Sequence, residues 1–171
     1  NTQGPSAGDV LSVSELDYKN AFNLLFQNTV NTSMAAIKGM KKNNWGRIIN
    51  MASVSVKEPL SYLALSNTIR SAVTSWGKTL SIESGKHNVT VNNILTGFFN
   101  TERLNQLNSE KAKKFNVSTE EVFDKMSGMV PLKRIGEPEE FGYLVAFLSS
   151  DYADYINGAN VPIDGGLLKS M

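Results

Sequence analysis

The stretch Arg47-Ile48-Ile49-Asn50-Met51 is a short apolar run, and a run of this length is typical of a strand buried in a sheet. A second run, Val89-Thr90-Val91-Asn92-Asn93-Ile94-Leu95, has the same character. Between the two runs, from about residue 60 to 86, apolar residues recur at three- and four-residue steps, which predicts a long helix. A strand, a helix and a second strand in this order indicate a parallel sheet with a helical crossover.

The same alternation extends to both sides of these two runs. Residues 15–43 have a helical pattern, with Ser14 and Asp17 as its N-terminal capping signal. Weakly amphipathic helical segments are predicted up to about residue 128, another helix from Gly136-Glu137-Pro138, and a last strand near 159–163. We therefore predict a single α/β domain over residues 1–171, whose three parallel strands form about half of a doubly wound sheet.

Composition excludes several classes of function. Lys and Arg number 17 against 16 Asp and Glu, 41% of the residues are hydrophobic, and there is no cysteine. No apolar run approaches the roughly 20 residues that span a bilayer, so we expect no membrane segment, and the absence of a basic cluster argues against nucleic acid as a partner. With no cysteine and one histidine, His87, no thiolate nucleophile or multi-histidine metal site is expected.

Five segments resemble the short-chain dehydrogenase/reductase family. The run Gly46-Arg47-Ile48-Ile49-Asn50-Met51-Ala52-Ser53 resembles the family strand that ends at its catalytic serine, and residues 89–97 resemble the next strand and its turn. Ile156-Asn157-Gly158 and Ile163-Asp164-Gly165-Gly166 resemble the C-terminal signature, and Asn1-Thr2-Gln3-Gly4 resembles the Asn-Ala-Gly turn after the fourth strand. The nearest subgroup is the atypical one that resembles 3-oxoacyl-acyl-carrier-protein reductases.

This resemblance implies the C-terminal portion of a Rossmann-type doubly wound parallel sheet. It also implies NAD or NADP as cofactor, a small carbonyl or alcohol substrate, and a homodimer or homotetramer formed through helices 15–43 and 60–86 and the C-terminal strand. The family binds the cofactor pyrophosphate with a Gly-rich loop between its first strand and helix. No such turn follows a strand in this sequence, so we expect the chain to begin after the fourth strand of the fold. The absence of a leader and of cysteine predicts a cytoplasmic protein.

The family's catalytic set is an Asn, a Ser and a Tyr-x-x-x-Lys pair. An ungapped alignment places the serine at Ser53, the tyrosine position at Ser66, the lysine position at Arg70 and the asparagine position at Leu25. The resemblance implies that Ser53 polarises the substrate oxygen and that Arg70 holds the nicotinamide ribose. The implied cofactor-binding residues are Asn1, Gly4, Arg70, Gly97 and Thr101, with Thr101 against the carboxamide.

These replacements leave two questions open. A serine hydroxyl is a far weaker acid than a tyrosine phenol, which titrates near about 10. Tyr62, four residues before Ser66, is expected one turn up on the same helix face, where it either supplies the missing phenol or packs as an ordinary aromatic. The chain is either an NAD(P)-dependent oxidoreductase, in which Ser66 or Tyr62 supplies the proton, or a catalytically silent dinucleotide-binding or scaffold member. Ser53 also suits a loop cap, and Thr101 a helix cap.

Overall fold

The computed structural model describes residues 4–170. These form an α/β fold with a parallel sheet, as predicted. The helices are α1 (Glu15–Ala21), α2 (Asn28–Asn43), α3 (Ala64–Ser84), α4 (Glu102–Phe115), α5 (Thr119–Met129) and α6 (Pro138–Ser149). The strands are β1 (Gly46–Ser53), β2 (Val89–Thr96) and β3 (Asn160–Ile163). A π-helix, Phe22–Gln27, joins α1 to α2, and short 3-10 turns lie at Val54–Val56, Gly85–His87 and Asp151–Ala153.

The three strands lie in the order β1-β2-β3 and all run parallel. β1 and β2 pair from Gly46 with Val89 to Ser53 with Thr96. β3 is shorter, and its last residue, Ile163, also pairs with Thr96. Because the register is aligned at this end, the loops that follow all three strands leave from one edge of the sheet. That edge is where parallel α/β sheets place their ligands.

The helical segment predicted at 15–43 is continuous but changes type along its length. Ser14 caps it as predicted, because its Oγ donates to Asp17 Oδ2 at 2.7 Å and accepts from the Asp17 N–H at 3.2 Å. The π-helical stretch follows in the middle. The segment ends at Asn44, whose φ of 50° is left-handed, a conformation that asparagine tolerates better than most residues.

The second long helix begins four residues later than predicted, at Ala64. The residues before it are held in a turn by the segment around Gly8. The Gly8 N–H donates to the Tyr62 carbonyl at 2.9 Å, and the Ala64 N–H donates to the Gly8 carbonyl at 3.2 Å. The Asn67 side chain also donates to the Leu60 carbonyl, at 2.8 Å. Since these bonds use backbone groups that a helix would need, α3 starts only after them.

The central strand β2 is buried along residues 89–95 and carries two asparagines in the middle of the core. In both amides the oxygen and the nitrogen each have a hydrogen-bond partner. Asn93 accepts from the Asn50 amide at 3.0 Å and donates to Asn160 at 2.8 Å, which links all three strands. Asn92 donates to the Ile156 carbonyl at 2.7 Å and accepts from the Ala159 N–H at 3.0 Å. Hydrogen bonding of this kind removes most of the cost of burying amides.

Candidate functional site

A cleft of about 730 Å³ lies at the carboxyl ends of β1 and β2. Its floor is formed by residues at or just after the strand ends, and its walls by one residue of α3, the start of α4 and the start of α6. The lining residues are Gly4, Met51, Arg70, Thr96, Gly97, Phe98, Phe99, Thr101, Glu102, Arg103, Leu104, Gln106, Leu107, Pro138 and Phe141. Of the predicted cofactor-binding residues, Gly4, Arg70, Gly97 and Thr101 therefore meet in one cleft, and Asn1 lies outside the described residues.

Gly97 is at the floor of the cleft, where the chain leaves β2. Its N–H donates to the Ile163 carbonyl at 3.0 Å. A Cβ at this position would lie 2.7 Å from Asp164 Cα, which is closer than real side chains approach a backbone. Because the loop after β3 packs directly against this position, only glycine fits here without a shift of the backbone. The neighbouring Thr96 hydroxyl donates to the Ala52 carbonyl at 3.0 Å and fixes the two strand ends together.

Thr101 begins the wall formed by α4. Its Oγ1 accepts from the Leu104 N–H at 3.3 Å, so the threonine is the N-cap of the helix as well as a lining residue of the cleft. Backbone N–H groups in the first turn of a helix have no partner within the helix and favour anionic or carbonyl groups. The helix thus brings hydrogen-bond donors, together with the side chain of Arg103, to the cleft.

Arg70 is the half-buried cation of the cleft. On α3, it donates through Nη1 to the Met51 carbonyl at 2.9 Å and through Nε to the Ser66 hydroxyl at 3.1 Å. Burial lowers the pKa of the Arg70 guanidinium from its ordinary value, although an arginine stays charged at neutral pH. No carboxylate in the described part of the chain forms an ion pair with it. A guanidinium has five N–H donors, so donors remain for a ligand.

The two serines lie next to the cleft without lining it. Ser53 ends β1, and its Oγ accepts from the Ser55 N–H at 3.1 Å, which caps the following 3-10 turn. Ser66 lies one helical turn before Arg70, and its Oγ accepts from the Arg70 Nε. In both cases the oxygen is used as an acceptor while the hydroxyl proton is still able to donate. The predicted loop cap at Ser53 is therefore present.

The expectation for Tyr62 is wrong in one respect. Tyr62 lies in the turn before α3, not on the helix, because the Gly8 segment delays the helix start to Ala64. Its hydroxyl accepts from Lys111 Nζ on α4 at 3.4 Å, and the same nitrogen lies 4.5 Å from the ring centroid. Within the described residues, its hydroxyl makes no hydrogen bond to Ser53 or Ser66.

Leu25, at the family's asparagine position, is 1% exposed and packs with Leu65 and Ile69. An apolar side chain in a closed core binds no water and takes part in no proton transfer. Together with Ser66 and Arg70, Leu25 is one of the three positions at which the alignment predicted from the sequence departs from the family's catalytic set.

Several lining residues were not predicted from the sequence. Phe99 and Phe141, whose ring centroids are 6.3 Å apart at 82°, close the cleft on the side of α6. They belong to separate loops and helices, so no spacing along the chain connects them. The position of Arg103, by contrast, follows from the helix start predicted after Thr101, which places residue 103 in the first turn. No group of three or more potential metal-binding side chains occurs in residues 4–170.

The family model described as Enoyl-(Acyl carrier protein) reductase matches residues 2–168 of the chain. The chain belongs to the short-chain dehydrogenase/reductase family. NADPH-dependent reductase BacG of Bacillus subtilis strain 168 is 36% identical over 132 residues, which are 77% of this chain and 51% of BacG. The 3-oxoacyl-[acyl-carrier-protein] reductase FabG of Pseudomonas aeruginosa strain PAO1 is 32% identical over 138 residues, or 81% of this chain and 51% of FabG.

Solved structures of short-chain dehydrogenases/reductases share this fold over the whole chain. YwfH, an NADPH-dependent reductase involved in bacilysin biosynthesis, superposes with a TM-score of 0.94 at 30% identity, covering 100% of this chain and 66% of YwfH. L-sorbose reductase from Gluconobacter frateurii, complexed with NADPH and L-sorbose, has a TM-score of 0.93 at 27% identity and covers 100% of this chain and 65% of that enzyme. The chain spans about half the length of the curated relatives BacG and FabG. Among residues 4–170, none of the helices combines the length and the hydrophobicity that a transmembrane span requires.

Proposed function

We propose that this chain forms the substrate-binding part of an NADPH-dependent oxidoreductase that reduces a small carbonyl compound. The hydrogen bond from Arg70 to Ser66 carries the proposal, because it places a cation and a hydroxyl together beside the cleft. The matched relatives BacG and YwfH are NADPH-dependent reductases, and FabG acts on 3-oxoacyl groups. A 3-oxoacyl thioester is accordingly the first substrate class to test, and the cytoplasm is the predicted location.

The cleft has the donor chemistry that a nicotinamide nucleotide requires. The unused N–H groups of Arg70 suit ribose hydroxyl oxygens, and Thr101 with the first turn of α4 suits the carboxamide. NADPH supplies a hydride when it is bound. In this proposal Arg70, Gly97 and Thr101 would hold the nucleotide. The two serines, at the end of β1 and on α3, would contact the substrate.

Ser53 donates its hydroxyl hydrogen to the substrate carbonyl oxygen and so favours negative charge on that oxygen as the hydride arrives. Ser66 donates the proton that completes the alcohol, and the adjacent Arg70 guanidinium stabilises the negative charge left on Ser66 Oγ. Because serine is a weaker acid than tyrosine, this proton transfer is less well matched to neutral pH than that of a phenol.

The test uses the full-length protein, NADPH and acetoacetyl thioester, with loss of NADPH absorbance as the readout. Ser66→Ala is expected to lower kcat by roughly a hundredfold, the low end of the contribution of a general acid. Thr68→Ala, on an exposed face of the same helix turn, is the matched control and keeps wild-type turnover. Equal rates for Ser66→Ala and wild type would show that Ser66 donates no proton.

A catalytically silent dinucleotide-binding or scaffold protein is the second candidate. It is favoured by the apolar Leu25 and by the engagement of the Tyr62 hydroxyl with Lys111. The two functions differ in one measurement: a silent member binds NADPH, as detected by nucleotide fluorescence, but reduces none of a panel of ketones, aldehydes and thioesters. Turnover of any one of these carbonyl compounds rejects the silent function.

We also propose a homodimer or homotetramer formed through the helices within 15–43 and 60–86 and through the C-terminal strand. Large apolar side chains are exposed on these helices, namely Leu16, Phe22, Met34 and Ile82. Light scattering of wild type is expected to give twice or four times the monomer mass. Phe22→Lys lowers that mass, whereas Phe115→Lys, at an exposed apolar position of α4, leaves it unchanged.

A further inference from the structure

The backbone at the end of the C-terminal segment, residues 164–170, is hydrogen-bonded to a single carboxylate in the loop after β1. Glu58 Oε1 accepts from the Lys169 N–H at 2.8 Å and from the Ser170 N–H at 2.7 Å. These bonds, the Ser170 bond first, lower the pKa of Glu58 from its ordinary value. A carboxylate that accepts two N–H groups forms stronger hydrogen bonds than a neutral acceptor. We call this pair of hydrogen bonds the tail clasp.

The residues that precede the contact are held in place by hydrogen bonds and by packing. Asp164 caps the segment from within, because its carboxylate accepts from the Gly166 N–H at 2.9 Å and from the Leu168 N–H at 2.8 Å. Leu167 and Leu168 pack against Ala52, Val54 and Leu95, which are buried at the ends of β1 and β2. The clasp therefore joins a fixed segment to the loop, and it holds the loop in place.

Hydrogen bonds within the turn after β1, together with the backbone between them, connect Glu58 to Ser53. The Glu58 N–H donates to the Val54 carbonyl at 3.1 Å, and the Lys57 N–H donates to the same oxygen at 2.9 Å. These bonds close the 3-10 turn that begins after Ser53. Within that turn the Ser55 N–H donates to Ser53 Oγ at 3.1 Å. The Ser53 hydroxyl oxygen is thus bound to a turn whose far end is Glu58.

We infer that Glu58 is a positioning residue that sets the Ser53 hydroxyl for the substrate oxygen through the tail clasp. The inference rests on the proposed function, because it assigns Ser53 a contact with substrate. A residue with this role affects kcat, since a hydroxyl displaced by about 1 Å no longer meets the charge that develops on the oxygen. It leaves NADPH binding unchanged, because Arg70 and Thr101 lie outside this path.

The experiment measures steady-state kinetics of the full-length protein with NADPH and acetoacetyl thioester. Glu58→Ala is expected to lower kcat about tenfold, with KM for NADPH unchanged. Glu58→Gln keeps an acceptor oxygen and restores most of the rate. Lys169→Pro removes one donor of the clasp and reproduces the loss, whereas Lys169→Ala keeps the N–H and does not. Circular dichroism checks that each variant is folded.

A double-mutant cycle separates positioning from general stabilisation. If Glu58 acts through Ser53, Glu58→Ala causes no further loss of kcat in a Ser53→Ala background. An equal loss in both backgrounds, or wild-type kcat for Glu58→Ala, overturns the inference. Hydrogen exchange at the Ser55 N–H gives a readout that needs no turnover: Glu58→Ala is expected to speed it and Glu58→Gln is not. Absence of turnover in wild type rejects the proposed function, and unchanged Ser55 exchange rejects the inference.

Discussion

Arg70 on α3 donates to the main-chain carbonyl of Met51 on β1 across 2.9 Å. The guanidinium of Arg70 is a planar fork of N–H donors, and its Nε donates to Ser66 at the same time. A lysine at this position would have the charge but not this fork of donors. The pair of residues thus ties the helix to the strand beside the cleft and leaves the cation facing it.

Arg70→Lys is therefore expected to weaken NADPH binding even though it restores the residue type usual in the family. Losing one hydrogen bond from a charged donor costs about 1.5–3 kcal/mol, which corresponds to roughly a tenfold or larger rise in Kd. Fluorescence titration with NADPH measures it, and Lys78→Arg, at an exposed site on the same helix, is the control. A Kd equal to that of wild type would show that the fork is not used for the nucleotide.

Gly97→Ala is expected to destabilise the protein by roughly 1–3 kcal/mol, because its Cβ would lie 2.7 Å from Asp164 Cα. Thermal unfolding measures the change. Gly128→Ala on α5 is a matched control with nothing within 4 Å of the added Cβ, and it is expected to be neutral or to stabilise the helix by about 0.5–1 kcal/mol. Equal melting temperatures for the two variants would contradict the close approach at Gly97.

Tyr62→Phe is expected to leave turnover unchanged, because the hydroxyl is directed at Lys111. The ring remains in place beneath the Lys111 ammonium in this variant. Tyr62→Ala removes the ring as well and is expected to loosen the contact between α4 and the turn before α3, which hydrogen exchange in α4 detects. A large loss of kcat in Tyr62→Phe would establish the phenol as the proton donor in place of Ser66.

The ion pair between Arg134 and Glu140 predicts a pH dependence of stability. Its two hydrogen bonds, at 2.7 and 2.6 Å, and secondly the bond that the carboxylate accepts from the Glu137 N–H, lower the pKa of Glu140 from 4.5 to about 2. Since the carboxyl pKa is lower in the folded state, its contribution is complete above pH 4.5 and is lost as the pH falls towards about 2.

Arg134→Gln is expected to flatten the acid limb of a plot of melting temperature against pH between about 2 and 4.5. Glu139→Gln, in the same helical turn, removes a carboxylate that makes no ion pair among the described residues and keeps the wild-type slope. An unchanged slope in Arg134→Gln would show that the pair does not hold its carboxyl pKa low in solution.

Asn108→Leu is expected to raise the melting temperature. Asn108 is 3% exposed on α4, and its Oδ1 has no hydrogen-bond partner among residues 4–170. Leaving a buried polar atom unpaired costs about 1–3 kcal/mol, which leucine of similar shape avoids. Asn93→Leu is the matched contrast, because it leaves the buried Asn50 amide without its Asn93 partner and lowers the melting temperature. A lower melting temperature for Asn108→Leu would indicate that its amide is paired in solution.

The fold was predictable because its signals are local. The apolar runs at 47–51 and 89–95 became β1 and β2, and the Ser14 and Thr101 caps are where their sequence patterns indicate. The start of α3 was not predictable, because Gly8, more than fifty residues away, occupies the backbone groups of the preceding turn. The resemblance predicted Arg70, Gly97 and Thr101 as cofactor-binding residues, and all three line one cleft. Phe99 and Phe141 were not predictable, because they meet only through tertiary packing.

The three asparagines that join β1, β2 and β3, namely Asn50, Asn93 and Asn160, favour one register of the strands. If β3 slipped by one residue along β2, Asn160 would move away from Asn93, and a buried amide would lose its partner in the middle of the sheet. A slip of one residue also turns each side chain of β3 to the opposite face of the sheet. The three amides thus favour one register of the sheet, and that register aligns the strand ends at which the cleft lies.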